Sequence, residues 1–295
     1  MTFKFLNRNK KFPKRVVILG STGIISTNLQ RILKKKNIKF ISVGRSKFDL
    51  KSKKTIKKLR KKIKKRDSII FIAAEAPVKN SEMFLNNIKI CETVCGSLEK
   101  KKIDQLIYIS SDAVYADIKG KITEKTVTSP NSFHGLMHMT RELMLKNKFK
   151  KLLCILRPTL IYGLGDTHNG YGPNRFVGLA TKNKPMLIFG NGEERRDHIF
   201  VDDLVKIIAK CLEKKALGIL NLVSGKVYSF KYLAKLIIAE TKSNSKLIKI
   251  KRKGPMPHNG YRPFNKNLLN RHFQEIKISP IEIGIKKYIE SKKVL

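Results

Sequence analysis

This 295-residue chain predicts a doubly wound α/β domain on a parallel sheet, with a smaller lobe toward the C-terminus. Three observations predict it. Short runs that are apolar along their whole length recur from Arg15 onward, as expected of strands buried on both faces. Longer stretches with apolar residues at helical spacing separate them. The first run closes in a glycine-bearing turn, GSTGIIS, that opens directly into a helix.

RVVILG, ending at Gly20, is the first predicted strand, and Gly23 to Lys36 the first helix. KFISVG is the second strand. The lysine-rich KSKKTIKKLRKKIKKR, Lys51 to Arg66, keeps Ile56, Leu59 and Ile63 at helical spacing, so it reads as a solvated helix with one buried face. SIIFIAA, a helix from about Ser81 to Lys101, and QLIYISS follow. After a polar loop, a helix over 132–147 leads into KLLCILRPTLIYG. Beyond about residue 165, Gly165, Gly170, Gly172, Pro173, Gly190 and Gly192 mark loops. Helical patterns return at Val201 to Lys214, Ser229 to Glu240 and Pro280 to Ser291. The expected division is 14–170, with 198–225 returning to it, against a lobe of 171–197 and 226–295. Residues 1 to about 13 read as a short basic tail.

Composition narrows the function classes. A hydrophobic content of 41% is enough for a sizeable core. No apolar run approaches the roughly 20 residues that cross a bilayer, so we expect no membrane insertion and a cytoplasmic protein. The formal net charge of +42, from 64 Lys and Arg against 22 Asp and Glu, raises a polyanion partner. Lysine dominates, however, and no aromatic-studded basic stripe accompanies it. Compositional bias therefore accounts for the charge better than a specific nucleic-acid partner. Cys91, Cys95, Cys154 and Cys211 form no CxxC pair and are expected to be reduced; no metal site is expected.

In GSTGIIS, Gly20, Gly23 and Ser26 hold the three small-residue positions of a strand-to-helix turn. Glycine there permits a tight turn and lets backbone N–H groups approach a pyrophosphate at the positive end of the helix. The residue that reads the ribose should follow about 20 residues later. That position holds Gly44-Arg45-Ser46, without an acid. Arg45 suits a 2′-phosphate, which favours NADP over NAD.

Several stretches together resemble the extended short-chain dehydrogenase/reductase family, in its sugar-nucleotide epimerase/dehydratase branch. GSTGIIS is similar to the GxxGxxG cofactor loop, FDL (Phe48 to Leu50) to the acidic segment that reaches the adenine, and FIAA to the strand end under the cofactor. YISSDAVYA resembles the active-site Ser/Thr loop and RPTLIYG the strand after the catalytic helix. YGPNRF, IFGNGEERRDHIFVDDL and NLVSGKVYSFKYLAKLI resemble the segments of the substrate lobe. The resemblance runs in order from about residue 15 to 290. It implies a Rossmann-type cofactor domain, with Gly20, Thr22, Gly23, Ser26, Arg45, Asp49, Leu50, Ala73, Ala74, Ser110 and His138 at the dinucleotide.

In that family the helix at this point carries YxxxK, with Tyr as general acid/base and Lys on the nicotinamide ribose. Here SFHGLMHMTRE sets His134 at the Tyr position and His138 at the Lys position. Three readings stand. His134 relays the proton and His138 bonds the ribose, with Ser111 and Asp112 polarising the substrate oxygen; imidazole titrates near neutrality, although it is shorter than a tyrosine. Alternatively the protein is catalytically inactive and binds dinucleotide or nucleotide sugar as a sensor or partner. A metal held by both histidines is the third, and HGLMH supplies neither a glutamate nor an evident third ligand.

The resemblance further implies that Asn174, Phe189, Arg196 and Arg262 bind the nucleoside diphosphate of a nucleotide sugar. An arginine fork suits a diphosphate and a flat aromatic suits a base. Family 4,6-dehydratases carry an acid pair after the active-site Thr, whereas Asp112 is followed by Ala113. That argues against dehydration and leaves 4-epimerisation or reduction of a keto sugar. A homodimer through the helices at about 81–101 and 132–147 is a further implication.

Overall fold

The computed structural model describes residues 1–293. In chain order the elements are β1 (Lys4–Phe5), β2 (Val16–Leu19), α1 (Ile24–Lys35), β3 (Phe40–Val43), α2 (Thr55–Lys62), β4 (Ser68–Phe71), α3 (Ser81–Leu98), β5 (Gln105–Ile109), α4 (Phe133–Phe149), β6 (Leu153–Pro158) and β7 (Leu160–Tyr162). They continue with α5 (Pro173–Ala180), β8 (Met186–Phe189), β9 (Arg195–Phe200), α6 (Val201–Glu213), β10 (Ala216–Leu222), β11 (Val227–Ser229), α7 (Phe230–Thr241), β12 (Leu247–Ile250), β13 (Tyr261–Arg262), α8 (Asn267–His272) and α9 (Ile281–Lys293). They form two compact units: 1–116, 124–158 and 205–222, and 117–123, 159–204 and 223–295.

The first unit is built on a seven-stranded sheet in the order β1-β10-β6-β5-β4-β2-β3. Every pairing is parallel except that of β1 with β10. The apolar runs are strands for the reason the sequence suggests: Val16–Leu19, Ser68–Phe71 and Gln105–Ile109 are buried throughout. From β2 the chain goes outward to β3 and then returns past β2 to β4. This reversal opens a crevice at the carboxyl ends of β2 and β4, where sheets of this type take ligands. Asn80 caps α3 through Met83 N–H at 2.9 Å, and Ser132 caps α4 through Gly135 N–H at 3.2 Å. All four cysteines are buried and free.

Two expectations change here. The N-terminal residues are not a loose tail: Lys4 and Phe5 pair with Leu217 and Ala216, and Phe3 is buried. The lysine-rich stretch forms a helix of only eight residues, because the backbone turns extended at Ile63, whose buried side chain joins Leu59 in the core.

In the second unit β11, β9 and β13 pair in that order and β7 adds to β9, while β12 and β8 make a separate parallel pair. KLLCILRPTLIYG is thus two strands with different partners: β6 lies between β10 and β5, whereas β7 pairs with β9. The first unit accordingly breaks at Pro158 rather than near residue 170. Residues 117–123 group with the second unit, where Ile122 N–H donates to Pro263 O at 2.9 Å.

Candidate functional site

At the carboxyl end of β2 the predicted turn has the conformation that only glycine adopts without strain. Gly20 has φ +107° and Gly23 φ +91°. A Cβ on Gly20 would stand 2.8 Å from the backbone N of Ala73, just beyond β4, whereas nothing lies within 4 Å of one built on Gly23. The loop is therefore pressed onto the neighbouring strand on one side and open on the other. Ser26 fits the third small-residue position by turning its hydroxyl inward, donating to Gly20 O at 2.6 Å. Gln30 braces the same loop through Ser21 O at 2.9 Å. Thr22 is exposed beside it. The open cradle and the N-terminus of α1 fit the pyrophosphate of a dinucleotide.

Beyond β3, Arg45 is exposed and reaches Glu75 Oε1 at 3.3 Å. Asp49 accepts the N–H of Lys51 at 3.0 Å, and Leu50 is buried in the core between Asp49 and α2. Ala73 donates its N–H to Leu19 O at 2.8 Å, and Ala74 is half-buried next to it.

Helix α4 begins close to the Ser111 turn because Gly135 allows it: a Cβ there would sit 2.1 Å from Ala113 O. Ser111 accepts the N–H of Ala113 at 3.2 Å, and Asp112 is buried. The rings of His134 and His138 meet edge to face at 4.8 Å. They are not equivalent. His134 is partly exposed, with Nδ1 at 3.5 Å from Val78 N–H, the limit of a hydrogen bond. His138 is buried, and its Nδ1 lies 2.7 Å from the hydroxyl of Tyr108 on β5. Burial pushes the His134 pKa down; the charge of Asp112 opposes this and that of Arg141 adds to it. Burial, then His134 and Arg141, push His138 well below its ordinary value. Both rings are held neutral near pH 7. Among the described residues no group of three or more metal-ligating side chains exists, so the histidine pair gains no third ligand.

Several residues around this helix escaped the sequence reading. Fully buried Arg141 donates to Asn87 O at 2.9 and 2.7 Å, to Asn87 Oδ1 at 2.8 Å and to Ala73 O at 2.9 Å. Glu142 and Arg157 form a buried pair at 2.5 Å, and Ser110 donates to Glu142 at 2.7 Å. Ser110, expected at the cofactor, has its hydroxyl turned into this cluster. A sequence signal existed: Arg141 and Glu142 fall one and two turns along the helix from His138 and His134 on its buried face, and charge on such a face must be paired.

The second unit brings Arg196 and Arg262 side by side, as partners in the parallel pairing of β9 with β13. Arg262 is buried and forms an ion pair with Asp117; it also lies 2.9 Å from His258 Nδ1. Arg196 approaches Glu194 at 3.4 Å. Phe189 packs against Tyr171 at 5.1 Å, and the Arg252 guanidinium lies 5.4 Å over its ring. Asn174 is differently placed from the other three: its amide accepts from Gly163 N at 3.0 Å and donates to Ile161 O at 3.1 Å, so it ties a loop. It also borders a cavity of about 360 Å³ lined by Asp166, Asn169, Tyr288 and Lys292, which none of Phe189, Arg196 and Arg262 reaches.

A family described as the NAD dependent epimerase/dehydratase family matches residues 16–222. The chain belongs to this family. A Bacillus subtilis (strain 168) protein described as an uncharacterized UDP-glucose epimerase is 26% identical over 68% of this chain and 73% of its own length. A Mus musculus dTDP-D-glucose 4,6-dehydratase is 24% identical over 95% of this chain and 88% of its own. The solved UDP-glucose 4-epimerase of Thermotoga maritima, in complex with UDP-glucose, shares the fold at a TM-score of 0.83 and 17% identity, covering 95% of this chain and all of that one. As a family member the chain has the expected mixed α/β architecture on a parallel-dominated Rossmann-like sheet. No helix among the described residues is long and apolar enough to cross a membrane.

Proposed function

We propose that this family member is an NAD(P)-dependent nucleotide-sugar epimerase or keto-sugar reductase that works with His134 and His138 where the family uses Tyr and Lys. The observation that carries the reading is the glycine turn at α1: positive φ at Gly20 and Gly23, and a clear space in front of Gly23. The nicotinamide supplies hydride transfer to and from a sugar carbon. Gly20, Thr22, Gly23 and Ser26 hold the pyrophosphate end. Arg45, with Asp49, Leu50, Ala73 and Ala74, lines the adenosine end, and the arginine favours NADP over NAD. Arg196 and Arg262 neutralise a diphosphate and Phe189 faces the base, while Asn174, apart from them, ties the loop at Ile161 and Gly163.

His134, neutral at working pH, takes the proton of the sugar hydroxyl as that carbon is oxidised, and the Ser111 hydroxyl, with Asp112 beside it, donates to the same oxygen. His138, fixed by Tyr108, orients His134 and faces the ribose. The protein acts on a soluble nucleotide sugar in the cytoplasm as a homodimer; Leu85 of α3 and Phe133, Leu136 and Leu143 of α4 are exposed apolar side chains suited to that contact.

A second reading, a dinucleotide or nucleotide-sugar binder without turnover, is favoured by the commitment of His138 Nδ1 to Tyr108 at 2.7 Å. Calorimetric titration with NAD and NADP, followed by UDP-, dTDP- and GDP-sugars with the absorbance of reduced cofactor as readout, separates the two. His134→Ala should cut kcat by about 10²-fold or more while leaving dinucleotide affinity unchanged. Undiminished turnover in that variant removes His134 from the chemistry.

A further inference from the structure

The position that reads the ribose, after β3, lacks an acid in the sequence, yet the folded unit puts one there. Glu75 follows β4 and lies 30 residues beyond Arg45. Its carboxylate is 3.3 Å from Arg45 Nη2, 3.1 Å from Lys51 Nζ and 3.2 Å from Asn86 Nδ2. It is held there firmly. The Asn87 amide clamps the Glu75 backbone from both sides, accepting its N–H at 3.0 Å and donating to its carbonyl at 2.9 Å. Buried Arg141 in turn fixes Asn87 Oδ1 at 2.8 Å, so the placement of this carboxylate is anchored in α4. Burial works against ionisation of Glu75, but the hydrogen bonds from Lys51 and Asn86 and the charges of Lys51 and Arg45 outweigh it and hold the carboxyl below its usual range. Glu75 is thus a fixed negative charge beside the two cations best placed for a 2′-phosphate.

We infer that Glu75 sets the discrimination between NAD and NADP, by competing with the 2′-phosphate for Arg45 and Lys51. The inference rests on the dinucleotide reading above. With NADP, Arg45 and Lys51 must share themselves between a phosphate and a carboxylate, and the two anions repel; with NAD there is no second anion and Glu75 is left with its partners. Like charges set close together are a strong lever on specificity, and this one acts only on the cofactor that carries the extra phosphate. Glu75 is a positioning residue here, since it acts through its two cationic partners.

The test is equilibrium binding of NAD and NADP by calorimetry to the intact protein, to Glu75→Gln, to Arg45→Ala and to the double variant, at low and high salt. Glutamine keeps the length of the side chain and its bond to Asn86 while removing the charge. In Glu75→Gln the NADP affinity should rise by about tenfold and that of NAD change by less than about twofold. The gain should shrink in high salt, because half of the cluster is exposed and screened. Arg45→Ala should weaken NADP alone, and in the double variant the gain over Arg45→Ala should be smaller but still present, because Lys51 stays 3.1 Å from the altered side chain and the repulsion of the phosphate is gone. An unchanged NADP-to-NAD ratio in Glu75→Gln, with both cofactors still binding, overturns the role of Glu75 and leaves the dinucleotide reading standing. Binding of neither cofactor to the unaltered protein overturns both.

Discussion

The two candidate sites, one in each unit, are built in opposite ways. In the first, the cradle is made of backbone: Gly20 and Gly23 supply the shape, and no charged side chain stands in front of Gly23. In the second, the candidate diphosphate site is made of side-chain charge, with Arg262 paired to Asp117 and Arg196 to Glu194. Shape built from backbone tolerates almost no substitution, because a side chain at Gly20 meets the Ala73 backbone and one at Gly23 is strained by its positive φ. Charge built from side chains is graded, because each arginine already has a partner and a ligand must compete with it.

The sharpest way to break the first arrangement is Gly20→Val. The new Cβ meets the Ala73 backbone at 2.8 Å at a φ of +107°, where a β-branched residue is strained whatever the space. Strain of this kind costs on the order of 1–3 kcal/mol, and displacement of the loop from β4 adds to it. We expect a clear drop in Tm and loss of measurable dinucleotide binding. Retained binding at unchanged affinity would mean that the cradle is not where the cofactor sits.

The same contrast explains what the sequence revealed. The glycine turn, the alternation of strands and helices and the histidine pair are local signals, spelled within a few residues of one another, and all of them appear in the fold. Features that depend on distant pairing were hidden. Lys4–Phe5 is too short to read as a strand until Leu217 and Ala216 are beside it. Nothing near Pro158 marks the change of partner from β10 to β9. Arg45 is visible as a cation after a strand, but its neighbour Glu75 lies in the loop after another strand, β4. Asn174 carries the right chemistry for a ligand, and only the folded loop shows its amide already engaged by Gly163 and Ile161.

In the second unit, Arg262→Ala should act more gradually. It removes one charged donor from the candidate diphosphate site and leaves Asp117 with His258 as a remaining partner. A charge-assisted hydrogen bond is worth about 1.5–3 kcal/mol, so affinity for a nucleoside diphosphate sugar should fall by roughly tenfold to a hundredfold. Dinucleotide affinity should stay within about twofold. Equal loss for both ligands would contradict the division of labour between the units.

The smallest effect concerns histidines that each unit buries. In the first, burial and the nearby His134 and Arg141 hold His138 neutral; in the second, burial pushes His198 down to about 3. For a base whose folded pKa is depressed, the unfolded chain binds more protons once the pH falls below the ordinary value of about 6.5, so stability is present at neutral pH and lost progressively on acidification. Each such histidine contributes up to about 1.4 kcal/mol per pH unit to that slope. His138→Asn, which can keep a polar atom opposite Tyr108, should flatten the stability profile below about pH 6.5 by up to that amount, with the share of His198 remaining. Urea unfolding at several pH values between neutral and mildly acidic measures it. A slope unchanged by the substitution would mean that His138 can take up a proton without leaving Tyr108, and the acid lability would then belong to the other depressed histidines, His134 and His198 among them.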